Sequence, residues 1–302
     1  MTSRRAALGS EGGARIVDRG YQHYTGERRG PGWAVLAIAT GTMRRSLGFK
    51  RPGLAKLLPF LIVGFAFFPG LAVIGFRVLF TGRLPRGVLS ADRIFPYDNY
   101  LNWLHLVVLV LAALAAAEAL CPDRRQRVLS LYYASPIRPI LYLFGQVVAV
   151  VVLLLLVSVL PPLILWAANV GLADAPLSYL TSHLDQLLRI IAAGTLIACL
   201  YAALALAVAS FTERRAYAAG ALLGGSLAVS AVAGIIRGTI KDRWAQYPGL
   251  VDPLFLPART TRWFFGLSLQ SRISGWLYLA AAFATIAVAC FAVVRSYRSV
   301  RF

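Results

Sequence analysis

Apolar runs of about 20 residues recur along this chain, each long enough to cross a hydrocarbon core roughly 30 Å thick, and they limit what it can fold into. Hydropathy puts them at about 58–80, 103–120, 140–168, 187–211, 216–236 and 275–294. They are continuously apolar instead of alternating, which predicts helices and not barrel strands. The expected fold class is therefore all-α, a polytopic membrane protein with six transmembrane helices. Pro69 predicts a bend in the first run, and Pro161-Pro162 a kink or an early end in the third.

The 302 residues are 59% hydrophobic and 14% charged, with a formal net charge of +19. In a soluble chain that charge would suggest nucleic acid. Here the basic residues sit beside apolar spans, so topology and contact with membrane lipids account for them, and no nucleic-acid partner is expected. Cys121, Cys199 and Cys290 lack the paired spacing of a metal site or disulfide framework. The opening MTSRRAALGSEGGARIV has no apolar h-region, so the first span is expected to direct insertion.

Arginine and lysine crowd residues 1–57, the connection between the second and third runs, the turn at Arg214-Arg215 and the tail at 295–302. The positive-inside rule then places both termini in the cytoplasm, in a cell inner (cytoplasmic) membrane. The plan is a cytoplasmic segment at 1–57, a transmembrane domain at 58–294 and a cytoplasmic tail at 295–302. The last outer loop, about 237–274, departs from the trend with Arg237, Lys241, Arg243, Arg259, Arg262 and Arg272. Its aromatic and proline content reads either as elements dipping into the outer interface or as a plain interfacial belt.

Within the first segment Trp33, Leu36, Ala37, Thr40 and Leu47 fall near one helical face, which predicts an amphipathic N-terminal interfacial helix. A short buried helix is the rival, but no second apolar element stands ready to pack on it. In the fifth run Gly220 and Gly224 form a GxxxG pair, one turn after Ala216. Such spacing allows close helix approach, first within the chain and second in an oligomer.

Convergent titratable groups are scarce. Glu118, at the end of the second run, is expected to reach water or to form a structural ion pair with Arg124, Arg125 or Arg127. His105 stands alone and reads as a hydrogen-bonded interface residue. Arg77 is placed to snorkel from the end of the first run, and Arg189 to pair with Asp185 at i,i+4. HExxH, GxSxG and a hydrolase-like carboxylate pair are all missing, so no enzyme is expected. Gly48 and Gly53 have the spacing of a phosphate-binding loop, but Leu54-Ala55 replaces its Lys-Ser/Thr. The runs also lack the mid-membrane acids and lysines of ion-coupled carriers. Energy for any transport must come from a partner.

CPDRRQRVLSLYYASPIRP, Cys121 to Pro139, is where a partner could act. Pro122 suits the first turn of a helix, and Asp123 beside it suits the positive end of the dipole. Val128, Leu131 and Tyr132 share one face, flanked by Arg124, Arg125 and Arg127, and Ser135-Pro136 ends the element. A helix of about 122–135 follows from the spacing. It is either a docking peg or a helix held on anionic headgroups.

DRRQRVLSLYYASPIRP, Asp123–Pro139, resembles the arginine-rich segment before the third span of the ABC type-2 transporter permeases. DRGYQHYTGERRG, Asp18–Gly30, is similar to an opening found in one branch of that family. The resemblance implies the permease subunit of an ATP-driven ABC exporter, paired with a second permease and with ABC ATPase subunits. No cofactor would be bound by this chain; ATP and Mg would sit on the ATPase. The segment between spans two and three would be the cytoplasmic coupling helix, seated in an ATPase groove. Leu131 and Tyr132 would then be its apolar anchors, Arg124, Arg125 and Arg127 its rim, and Pro136 its stop. Ser135 departs from the basic residue of many relatives, with Arg138 the nearest replacement. The N-terminal helix would be a connecting helix, and the last outer loop would carry short re-entrant helices. A membrane-bound enzyme or assembly factor, or an ion-coupled carrier without an ATPase, is the alternative reading.

Overall fold

The computed structural model describes residues 30–49, 56–80, 95–126, 139–173, 175–240, 243–269 and 273–298. Among these the ordered elements are helical and no strand occurs. In chain order they are α1 (Pro31–Ser46), α2 (Leu57–Phe80), α3 (Tyr97–Arg125), α4 (Pro139–Gly171), α5 (Pro176–Ser182), α6 (Leu184–Ala209), α7 (Arg215–Thr239), a 3-10 turn (Arg243–Leu250), α8 (Phe255–Phe264) and α9 (Gly275–Arg298). Six of them, α2, α3, α4, α6, α7 and α9, are long and apolar enough to cross a membrane. They match the six runs of the sequence, and the protein is a helical multi-pass membrane protein.

The core is built around α3. Its most apolar window is 83% buried, against 22% for α2 and 17% for α7. The stretch LAALAAAEAL explains this placement, because small side chains let four neighbouring helices approach its backbone closely. Leu104, Val108, Leu111, Ala112, Ala115 and Ala119 are fully enclosed among α2, α4, α6 and α7. The second layer is α4 against α6. They cross where Ser158 Oγ donates to the Gly194 carbonyl at 2.9 Å. A Cβ on Gly194 would lie 2.7 Å from Val159 and 3.1 Å from the Ser158 carbonyl, so only glycine fits this crossing.

Three expectations are corrected. Pro122 does not open a separate helix of about 122–135; it lies inside α3, which continues to Arg125. The ring removes a donor and crowds the preceding turn, but Asp123 is anchored from two sides, and Gln126 N–H still reaches the Pro122 carbonyl at 2.9 Å. At 1.5 Å per residue α3 is about 44 Å long, longer than the hydrocarbon core, so its ends project beyond the apolar layer. In α4, likewise, Pro161 and Pro162 do not end the helix early.

The second correction concerns Gly220 and Gly224. Both are exposed, and a Cβ added to either would meet nothing within 4 Å. α7 packs inward through Ala218, Leu222, Ser226 and Ala233 instead. That face is roughly opposite the glycines at 100° per residue, so the GxxxG pair makes no helix contact among the described residues.

The third is α1. The chain divides into Met1–Gly30 and Pro31–Phe302, so α1 belongs with the long helices. It packs on α4 and α3 through Ala39, Thr42 and Ser46. A partner was thus available, namely the bundle itself. Trp33, Leu36, Ala37 and Thr40 face outward, whereas Leu47, the fifth residue of the expected stripe, packs against the core.

Residues 127–138 are not among those described, so Arg127, Val128, Leu131, Tyr132, Pro136 and Arg138 lie outside the described residues, as does most of Asp18–Gly30.

Replacing Gly194 by valine should force α4 and α6 apart. The expected cost is about 1–3 kcal/mol, the usual penalty of overpacking, read as a lower unfolding midpoint of the purified protein in detergent. An unchanged midpoint would mean the crossing is looser than its geometry.

Candidate functional site

The last two turns of α3 carry the most connected polar cluster among the described residues. Asp123 is 4% exposed. Arg45 Nη1 of α1 donates to its Oδ1 at 3.0 Å. From α4, Tyr142 O–H donates to Oδ2 at 2.5 Å and Gln146 Nε2 at 3.3 Å. Gln146 Nε2 also reaches the Tyr142 oxygen at 3.1 Å. Thr42 closes the ring: its hydroxyl donates to Gln146 Oε1 at 2.8 Å and accepts from Arg45 Nη2 at 3.1 Å. Five side chains from three helices therefore satisfy one another around a single carboxylate.

The energetics favour a rigid junction. Asp123 sits near a helix C-terminus, where the dipole disfavours negative charge; the sequence placed it at the opposite, favourable end. An unpaired buried carboxylate would be costly, so the Arg45 guanidinium and two neutral donors are what allow it here. Sequence reasoning missed this ring. Its only trace was a pair of spacings: Thr42 and Arg45 one turn apart on α1, and Tyr142 and Gln146 one turn apart at the start of an otherwise apolar α4.

Glu118, one turn earlier, is held by Arg215 Nη1 at 2.8 Å. That ties α3 to the first residue of α7, nearly a hundred positions on. Its ion-pair partner is thus Arg215; of the three arginines expected for Glu118, Arg127 lies outside the described residues. Arg124 lies with its guanidinium 5.7 Å above the Tyr297 ring of α9, and its Nη1 is buried without a hydrogen-bond partner. Arg125, the last residue of α3, is exposed. Ser296 Oγ donates to the Ser210 carbonyl at 2.8 Å, fastening α9 to the end of α6. The end of the bundle that leads into residues 127–138 is therefore tied from α3 to α1, α4, α7 and α9.

The opposite end has its own organiser. Asp252 is 1% exposed. It accepts from Arg237 Nη2 at 2.7 Å, from Ser230 Oγ, and from the backbone N–H groups of Leu254 and Phe255 at 3.0 and 3.1 Å. It thus caps α8 and locks it to α7. Arg237 and Arg259 lie 3.7 and 4.5 Å from the Phe255 ring centroid, close enough for cation–π attraction. Burial lowers the Arg259 guanidinium from its ordinary value, and the charges of Arg262 and Arg237 act the same way. These ties explain why the loop at 237–274 departs from the charge trend: Arg237 and Arg259 are engaged inside the fold and are not free surface charges. The aromatic loop is the folded pair of the 3-10 turn and α8.

Nearby, Arg77 donates to Asn169 Oδ1, and Asn169 Nδ2 donates to the Tyr97 oxygen at 2.6 Å. Arg77 is therefore drawn inward between α2, α4 and α3 and does not snorkel away. Arg189 pairs with Asp185 at 3.4 Å, as its i,i+4 spacing predicts. His105 is buried against Tyr201, rings nearly parallel with centroids 6.4 Å apart, and its Nδ1 lacks the hydrogen bond expected of it.

No family model and no curated protein matches the chain.

The ring can be tested by a double-mutant cycle. Asp123→Ala leaves the Arg45 guanidinium without its carboxylate and should cost about 1–3 kcal/mol. Combined with Arg45→Met, it should cost less than the sum of the single changes by more than about 0.5 kcal/mol. Unfolding midpoints in one detergent check this, and additive costs would mean the ring is not a coupled unit.

Proposed function

We propose that the chain is the transmembrane permease subunit of an ATP-driven ABC transporter, working as an exporter beside a second permease. ABC ATPase subunits carrying ATP and Mg supply the energy, and the chain lies in the inner membrane with both termini cytoplasmic. The observation that carries this reading is the Asp123 ring. It ties α1 and α4 to the last turn of α3, at the start of the arginine-rich segment Asp123–Pro139.

In this reading the docked segment joins the bundle at that junction. Force applied to it passes to α1, α3 and α4 together. ATP binding closes an ATPase pair, and the closing motion moves whatever is docked in its groove. Packed elements respond by switching between discrete arrangements, which is what alternating access requires. The rearrangement costs least where packing is least. Here that is α2, α7 and α9, the spans with few buried residues. Burial falls off from α3 outward, so the bundle has a stiff centre and loosely held flanks.

The docking step follows from the resemblance. Leu131 and Tyr132 anchor the segment in the ATPase, Arg124, Arg125 and Arg127 surround it with Val128 on the same ridge, and Pro136 and Arg138 close it. Of these, Arg125 is exposed and ready for a partner, whereas Arg124 is engaged with Tyr297. Arg124 thus serves the chain's own packing before any docking.

Leu131→Asp with Tyr132→Asp should release a Walker-motif ATPase that copurifies with the wild-type chain, while the permease stays inserted and folded. Retention of that ATPase together with normal transport would refute the docking reading.

A further inference from the structure

α2 and α7 do not close over α3 at the end where α1 finishes. A cavity of about 220 Å³ opens between them. Leu58 and Pro59 of α2, Leu114 of α3 and Ala219 of α7 form its apolar walls, and the Glu118–Arg215 pair forms its polar side. Glu118 is buried, but the Arg215 side chain is 49% exposed. Only its Nη1 is engaged by the carboxylate, so the other edge of the guanidinium fork is presented to an incoming acceptor. A planar fork of this kind suits phosphate oxygens.

The position fits an amphiphile. α2 and α7 begin here, at Leu57 and Arg215, and α1 and α3 end here. The cavity is therefore level with one membrane surface, where headgroups lie. Arg44, Lys56, Arg214 and Arg215 stand at these helix ends against the carboxylates of Glu118 and Glu213, leaving an excess of positive charge. A volume of 220 Å³ compares with about 30 Å³ for one water in the liquid, which is room for a headgroup and not for a whole lipid. The acyl chains have a path outside. Leu58, Leu61, Phe65 and Phe68 are exposed at successive turns of α2, a continuous apolar stripe climbing from the mouth of the cavity.

We propose that this crevice seats one anionic phospholipid, its phosphate on Arg215 and its chains along the exposed face of α2. The site requires only that the chain spans a membrane and does not depend on ATP-driven transport. Bound there, the lipid fills the gap between two of the less-packed spans and links α2 to α7 through a ligand.

The full-length protein, purified in detergent and titrated with phosphatidylglycerol, tests this by native mass spectrometry. One tightly retained lipid per chain is expected. Arg215→Gln should weaken its retention about fivefold, as for the loss of one basic residue facing anionic lipid. Leu114→Trp keeps the ion pair but fills the cavity, and it should weaken retention at least as much. Arg189→Gln, whose ion pair lies at the other end of the bundle, should leave it unchanged. If Arg215→Gln is not recovered folded, Leu114→Trp decides. Equal retention by the wild type and Leu114→Trp overturns the proposal. So does full displacement of the lipid by equimolar glycerol 3-phosphate, which would mark a free-phosphate site.

Discussion

A buried carboxylate two residues from the end of a membrane-length helix governs how this bundle is assembled. Asp123 cannot be left unpaired where it lies, because desolvating a lone ionised carboxylate costs far more than burying a neutral group. Its partners must come from other helices, and they come from α1 and α4. Satisfying that one group keeps α3 continuous through Pro122, docks α1 on the bundle and sets the first turns of α4. The helix dipole works against a negative charge at this position, so the compensation by Arg45 is structural and not incidental.

The same logic repeats at the far end with Asp252, which gathers Arg237, Ser230 and two backbone donors and so holds α8 on α7. Between the two carboxylates the spans are joined chiefly by small residues and apolar packing. Lipid offers no hydrophobic gain for helix association, so close approach along α3 and at the Ser158–Gly194 crossing supplies the contact instead. Polar cross-ties therefore concentrate at the helix ends. The outer spans α2, α7 and α9 leave most of their surface outside the core.

This division gives the chain its mechanical character. The centre is cross-tied to α1, and the periphery retains room for a ligand. Arg215 belongs to both, since it anchors Glu118 with one nitrogen and faces the crevice with the rest of its fork. A headgroup bound there would sit between α2 and α7.

Hydropathy alone was sufficient for fold class and the number of spans, because an apolar run of span length has one stable solution in lipid. It was also sufficient for the amphipathic face of α1 and for the Asp185–Arg189 pair, both of which depend on spacing within one helix. What it could not supply were relations between helices. Asp123 read as an N-terminal dipole residue, Glu118 as a partner of the nearest arginines, and Gly220 and Gly224 as an internal contact. Each was decided by which faces the folded bundle turned toward one another. Asp123 meets Arg45 from 78 positions away and Glu118 meets Arg215 from 97, distances at which local periodicity carries no information. The order of amino acids was enough to require a bundle of membrane-spanning helices, since the backbone has no other way to be satisfied in lipid. Which carboxylate meets which guanidinium was left to the packing of the helices, because a charge buried at a helix end takes whatever partner its neighbours bring within reach.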